Sequence, residues 1–375
     1  MASLTRLLRR TFSTTAPTKE QSYFHALIND LYKERNPKRL VEKFKKGCEN
    51  RRFRNQTGVY EETVRRLAAL QRFRWIEEIL EEQKKYHDFS KEGFGARLIR
   101  LYGKSGMYDQ ASKVFDEMPK KGLLAFNALI AAGVNAKMYD KVNALFKELP
   151  KKLSIEPDLI SYNTVIKAFC DMGSLDSAIS MLDEMEKKGV NPDVITFNTL
   201  LDSFFKDGRV VDGEKIWSRM VQKHVEPDTR SYNAKLMGLV TEKKMEEAVR
   251  LVEEMRSRGL KTDVFTFNHM IKGYVNEGNL EEVKEWYSQI GKNGCAPEKL
   301  TYTILVPFLC EKGDLKSAVE VCKEIFYWKR TVGVALLQRV VDELVKASKF
   351  EDAKELVKLG KTNNFCRYEL NMHTE

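Results

Sequence analysis

No apolar run in this 375-residue chain approaches the roughly 18 residues that a membrane-spanning helix needs. TILVPFLC, Thr303 to Cys310, is among the longer runs and falls far short, so no membrane partner is expected and the chain reads as soluble. Cysteine is sparse. Cys48, Cys170, Cys295, Cys310, Cys322 and Cys366 include no pair at Cys-x-x-Cys spacing, and they read as free buried thiols in a reducing compartment. Histidine is sparser still: His25, His87, His224, His269 and His373 are scattered and assemble no metal-ligand cluster. A nucleophile elbow and a phosphate-cradling glycine loop are also missing. These absences argue against an enzyme, and no cofactor, metal site or small-molecule substrate is expected.

Acid is missing from one place only. MASLTRLLRRTFSTTAPTK carries Arg6, Arg9, Arg10 and Lys19, seven Ser or Thr, and no carboxylate before Glu20. Leu4, Leu7 and Leu8 can line one side of a helix with the arginines opposite. This composition reads as a mitochondrial transit peptide over residues 1–21, and so as a matrix location. The net charge of +10 is concentrated nearby. Residues 1–54 hold 14 Lys and Arg against 5 Asp and Glu, while the rest of the chain holds 50 against 49. Lys38, Arg39, Lys43, Lys45, Lys46, Arg51, Arg52 and Arg54 are therefore candidate phosphate-binding residues, since such clustering suits a nucleic-acid backbone. A solvated helix face would carry the same residues.

What the chain has in abundance is repetition. EPDLISYN starts at Glu156, NPDVITFN at Asn191, EPDTRSYN at Glu226, KTDVFTFN at Lys261 and a degenerate APEKLTYT at Ala296, each 35 residues after the last. Within one period, Tyr162, Val165, Ile166 and Phe169 recur at helical spacing. Gly173 then breaks the helix and Ser174 can cap a second one, whose apolar face is Leu175, Ala178, Ile179, Leu182 and Met185. Gly189 and Pro192 end that helix. Gly208, Lys243, Gly278 and Gly313 stand at the equivalent break in the following periods. Ala178, Gly213, Ala248, Val283 and Ala318 share one place in the second helix, where mostly small side chains allow close approach. Such a pair buries one side only, so pairs must stack. Units start at 22, 57, 92, 123, 159, 194, 229, 264, 299 and 334, and residues 369–375 remain as a C-terminal tail. Pro307 falls in a first helix, where a kink is expected.

A 35-residue two-helix repeat opening on V-x-T-[YF]-N-T-L, with EEM in the second helix and PD at the end, resembles the P-class pentatricopeptide repeat. The resemblance covers nearly all of residues 22–368. It implies an all-α fold, a right-handed α-solenoid superhelix of about ten two-helix units. It also implies single-stranded RNA binding along the first helices, where the fifth and last residues of a unit read one base. The base-reading residues so implied are Asn127, Asp158, Asn163, Asp193, Asn198, Asp228, Asn233, Asp263 and Asn268. The pairs Asn163/Asp193, Asn198/Asp228 and Asn233/Asp263 imply three successive uracils. Asn127/Asp158, in a 36-residue unit, is a fourth candidate, while Asn268/Glu298 and Thr303/Gly333 depart from the pattern. Second-position residues Ile160, Ile195, Arg230 and Phe265 are implied to sandwich bases, although apolar ones could equally be core. Asn near a helix start and Asp after Pro could also serve only as caps.

No C-terminal His-x-Glu with Cys-x-x-Cys is present, so the zinc deaminase of editing relatives is not expected. Four readable bases recur too often in transcripts to mark one site. LYKERNPKRLVEKFKK and FRWIEEILEEQKKYHDF further resemble plant mitochondrial ribosomal proteins of this repeat class. That resemblance implies a structural, RNA-binding component of the mitochondrial ribosome, in the small subunit, with ribosomal RNA and mitochondrial ribosomal proteins as partners. Two alternatives stay open at this stage: a free factor binding a U-containing mitochondrial transcript, and a protein–protein scaffold.

Overall fold

A computed structural model describes residues 19–363 and 365–372. Most of the transit-peptide span, residues 1–18, lies outside the described residues. The described residues are helical and contain no strand, and no helix among them is long and apolar enough to cross a membrane.

The chain divides into two compact units. The first holds α1 (Lys19–Lys33), α2 (Pro37–Cys48), the single turn α3 (Arg51–Arg54), α4 (Thr57–Ala69), α5 (Phe73–Glu81), α6 (Glu92–Lys104), α7 (Tyr108–Glu117), α8 (Leu123–Asn135), α9 (Tyr139–Leu153) and α10 (Leu159–Asp171). α11 (Leu175–Lys187) is divided between the units. The second holds α12 (Val194–Lys206), α13 (Val210–Gln222), α14 (Thr229–Thr241), α15 (Met245–Ser257), α16 (Val264–Glu277), α17 (Leu280–Lys292), α18 (Lys299–Glu311), α19 (Leu315–Tyr327), α20 (Val334–Lys346) and α21 (Phe350–Thr362). Pro307 lies inside α18.

In the second unit the helices form hairpins, and the first helices α12, α14, α16, α18 and α20 pack side by side in chain order. The fourth residue of each of the first four is an aromatic ring at the centre of this packing: Phe197, Tyr232, Phe267 and Tyr302 are all fully buried. Burying such a ring contributes roughly 2–3 kcal/mol. Trp217 meets Tyr232 edge-on at 5.1 Å between ring centres, and Phe267 tilts against Trp286 at 6.4 Å. The small positions in the second helices lie inside this core, with Ala248, Val283 and Ala318 fully buried. A side chain on Gly213 would come within 2.7 Å of the Phe205 ring, so glycine there sets how closely α13 approaches α12.

Each first helix of the second unit stops on a left-handed residue: Gly208, Lys243, Gly278, Gly313 and Ser348 all have φ between 58° and 76°. At α14 the Lys243 N–H bonds to Val240 O at 3.2 Å and the Lys244 N–H to Leu239 O at 2.9 Å. These two bonds satisfy carbonyls that a helix end otherwise leaves open.

The first unit is built on the same plan, with the charged side chains Arg54, Asp88 and Arg97 in its interior. Phe44, Phe53 and Tyr60 form an aromatic cluster, Phe44 standing edge-on to Phe53 at 5.6 Å and to Tyr60 at 4.8 Å. α6 and α8 pack so closely that a side chain on Gly103 would lie 2.6 Å from Ala132 Cβ. The one-residue-longer unit starting at Leu123 takes up its length in α9, which runs 15 residues where α13, α15 and α17 run 13.

All six cysteines are free thiols. Burial raises the pKa of Cys48 to about 11 and that of Cys322 to about 12, which keeps both protonated and unreactive at neutral pH.

Candidate nucleic-acid interface

The Asp that closes a repeat, after Pro in three units and after Thr262 in a fourth, is also the start of the next helix. Asp158, Asp193, Asp228 and Asp263 are the N-caps of α10, α12, α14 and α16, each closing a capping box with Ser161, Thr196, Ser231 or Thr266. The carboxylate bonds the third backbone N–H of the helix, and the third-residue hydroxyl bonds the cap's own N–H. At α14, for example, Ser231 N donates to Asp228 Oδ1 at 2.9 Å and Asp228 N donates to Ser231 Oγ at 3.1 Å.

The fifth-position asparagine is tied into this box from the preceding helix. Asn198 Nδ2 donates to Asp228 Oδ1 at 3.0 Å, and its Oδ1 accepts from the Ser231 hydroxyl at 2.5 Å. Asn233 repeats this with Asp263 at 3.0 Å and Thr266 at 2.7 Å. Asn127 does so in the first unit, with Asp158 at 3.0 Å and Ser161 at 2.6 Å. The extra residue of the 36-residue unit therefore leaves this pairing undisturbed. Asn163 lies on α10 in the first unit, and Asp193 caps α12 in the second.

The third-position hydroxyls escape a reading of the sequence alone, although Ser161, Thr196, Ser231 and Thr266 each stand two residues before an Asn. They leave each paired amide with one unused N–H and one carbonyl lone pair, the combination that can meet a base edge. The amides are also well covered: Asn198 is 3% exposed and Asn233 8%. Burial opposes the charge on Asp158 and Asp228. The hydrogen bonds from Ser161 and Asn127, and from Ser231 and Asn198, outweigh it and hold both carboxyls below the usual carboxylate range.

Asn268 differs. It is buried like its counterparts, but its Oδ1 has no hydrogen-bond partner among the described residues, and no bond joins its amide to Glu298, the residue that stands in the place of Asp. Thr303, next in the series, turns its hydroxyl back to Lys299 O at 2.8 Å.

The second-position residues resolve a choice that the sequence leaves open. Ile160, Ile195 and Phe265 are between 53% and 60% exposed, so they are not core. Each precedes an Asn by three residues and shares its helix face. Arg230 is also exposed, but Asp202 on α12 holds it, with Arg230 Nε 2.9 Å from Asp202 Oδ2.

The basic cluster splits. Arg54 is buried, donates to Asp88 Oδ2 at 2.8 Å and to Cys48 O at 2.7 Å, and stacks on the Tyr86 ring at 4.2 Å. It is a structural cation, which corrects its assignment to phosphate. Nothing near Arg54 in the sequence marks this, because Asp88 lies 34 residues away. Lys43 is committed to Asp30 at 2.9 Å and Glu34 at 2.7 Å, and Lys45 to Glu78 and Glu82. Arg51 reaches to 3.9 Å from Asp88 while its side chain stays 71% exposed. Lys38, Arg39 and Lys46 are exposed on α2 and make no ion pair among the described residues. Arg52 sits exposed on α3. Arg97 is a second buried cation that no sequence signal marks; it lies over Tyr60 at 4.4 Å and Phe94 at 4.6 Å and donates to Arg54 O at 2.6 Å.

A family model described as PPR repeat family matches residues 122–171, 157–205, 192–234, 227–268 and 262–311, and a PPR repeat model matches 97–123. Small ribosomal subunit protein mS78 (rPPR3a) of Arabidopsis thaliana is 50% identical over 213 residues, covering 50% of this chain and 53% of that protein. Small ribosomal subunit protein mS79 (rPPR3b) of the same plant is 50% identical over 183 residues, covering 48% of this chain and 46% of that protein. The chain thus spans about half the length of the curated relatives it matches. The crystal structure of the pentatricopeptide repeat protein PPR10 from maize superimposes with a TM-score of 0.53 at 22% identity, covering 95% of this chain and 50% of that one. That likeness bears on the fold alone.

Proposed function

The chain belongs to the pentatricopeptide repeat family, and from that premise we propose that it is an RNA-binding structural component of the mitochondrial ribosome, in the small subunit. Its role is to hold RNA, with no chemistry of its own. The 50% identity to two plant small-subunit proteins carries the ribosomal assignment. The RNA assignment is supported by the Asn amides held by capping boxes, Asn127 in the first unit and Asn198 and Asn233 in the second, and by exposed apolar side chains on first helices of each unit. Few units present a bonded Asn–Asp pair, which suits a resident of one RNA more than the selection of one transcript. Exposed Lys38, Arg39, Lys46, Arg51 and Arg52 supply salt-sensitive contacts to phosphates. The arginine-rich, acid-free N-terminal composition suits a mitochondrial matrix protein.

The test is sedimentation of the tagged protein from gently lysed mitochondria, with and without EDTA. Co-migration with the small subunit after the subunits separate is expected. Migration with the large subunit would correct the choice of subunit. Confinement to light fractions in both conditions would overturn the ribosomal reading in favour of a free transcript-binding factor. On the ribosome, replacing Asn163, Asn198 and Asn233 together by Ala should leave most of the protein bound, whereas a free factor would lose its target.

A further inference from the structure

The fifth residues of the first helices in the second unit are Asn198, Asn233, Asn268, Thr303 and, in α20, Gln338. Gln338 is set apart from the others because main chain from another part of the protein meets its amide. Beyond α21 the backbone turns back, and Tyr368 anchors it. Its N–H donates to Gly360 O at 3.0 Å, its hydroxyl accepts from Val332 N at 3.1 Å, and its ring stands edge-on to Phe326 at 5.9 Å. Leu370 is buried against Gly360, where a side chain would come within 3.0 Å of it. The next residue then meets the Gln338 amide at two points. Gln338 Nε2 donates to Asn371 O at 2.7 Å, and Asn371 N donates to Gln338 Oε1 at 3.0 Å. The other Nε2 hydrogen is taken by Asp342 Oδ1 at 2.7 Å.

Both amide hydrogens and the carbonyl of Gln338 are therefore engaged. The Asn371 backbone offers one acceptor and one donor side by side, the same complement that a base edge offers to a side-chain amide. We propose that the segment Tyr368–Met372 is a built-in stop that occupies the reading amide of α20 and ends the RNA-reading face before that helix. This rests on the RNA reading proposed above and deepens it, because the length of RNA that can be read is then set by the chain's own C-terminal segment. Two buried anchors, Tyr368 and Leu370, hold the stop in place without any ligand.

The experiment selects bound sequences from a randomised single-stranded RNA pool. It compares the full chain, a chain ending at Leu370, and the full-length Asn371→Pro variant, which lacks the donor to Gln338. Both altered chains keep Tyr368 and Leu370, so the packing of α20 and α21 is retained. The full chain is expected to select no base opposite α20. The altered chains are expected to select one additional base at one end of the site, with roughly fivefold or more loss of affinity when it is changed. Gln338→Ala in the shortened chain should abolish that extra preference. Selection of the extra base by the full chain, or an unchanged selection in both altered chains, overturns the stop and leaves RNA binding standing. Failure of every chain to bind the pool removes the RNA reading and the stop together.

Discussion

An asparagine amide carries two donor hydrogens and one acceptor oxygen, and in this protein the capping box of the following helix takes a share of both. The exception, Asn268, shows what the share is worth. Its Oδ1 is buried and unpartnered because the Thr301 hydroxyl does not bond it as Ser231 and Thr266 bond Asn198 and Asn233. Its Nδ2 lacks the carboxylate bond made by Asp228 and Asp263 because Glu298, one methylene longer, does not reproduce their geometry. Glu298→Asp is expected to restore the bond and to stabilise the protein by about 1 kcal/mol, read as a higher urea midpoint. The aspartates also carry a pH signature. The carboxyls of Asp158 and Asp228 lie below their unfolded value, so the unfolded chain binds protons more tightly than the folded one. Their contribution is whole above the unfolded pKa of about 4 and is lost as pH falls through it towards the folded value. The urea midpoint should therefore drop below about pH 4, and Asp228→Asn should make that drop shallower. An unchanged pH profile in that variant would show that the carboxylate is not held by its partners.

Helix ends are where the element scale is decided. Four of the five first helices in the second unit can be read as ending at Gly or at its equivalent, because a left-handed residue recurs every 35 positions. Lys243 occupies such a position at φ 60° and is exposed, so its side chain gains no packing there. A non-glycine residue in this conformation costs roughly 1–2 kcal/mol. Lys243→Gly removes that strain, offset in part by the greater freedom of glycine in the unfolded chain. A net gain of about 0.5–1 kcal/mol is expected, seen as a rise in Tm. A fall in Tm would mean that the lysine stem is packed on its neighbours. The helix starts are equally open to reading, since Pro-Asp followed by Ser or Thr three positions later is a local signal that needs no partner elsewhere in the chain. The third-position hydroxyl bonding back to the Asn of the preceding helix is not open to reading, because it joins residues 33 apart.

At the scale of the molecule the basic N-terminal end is two populations in one composition. Replacing Lys38, Arg39 and Lys46 together by Ala should weaken RNA binding with the fold intact. The slope of log affinity against log salt should fall by about 0.7 for each phosphate that is no longer neutralised. Arg54→Ala should instead take from buried Asp88 its 2.8 Å partner, leaving it Lys91 at 3.5 Å and Arg51 at 3.9 Å, and cost about 2–3 kcal/mol of stability. Retained stability in that variant would return Arg54 to the surface set. The sequence by itself determined the 35-residue period, the alternation of helices, the apolar face of the first helices and the Asp positions that cap α10, α12, α14 and α16. Each of these depends on residues within one period, and local physics repeated many times leaves a visible pattern. Only the tertiary structure decided which asparagine amides are bonded, that Ile160, Ile195 and Phe265 are exposed, that Arg54 is interior, and that the C-terminal segment lies across Gln338. Those outcomes depend on contacts some thirty residues or more apart and on how much of a helix face its neighbours cover, and neither quantity is written in the order of residues along one repeat.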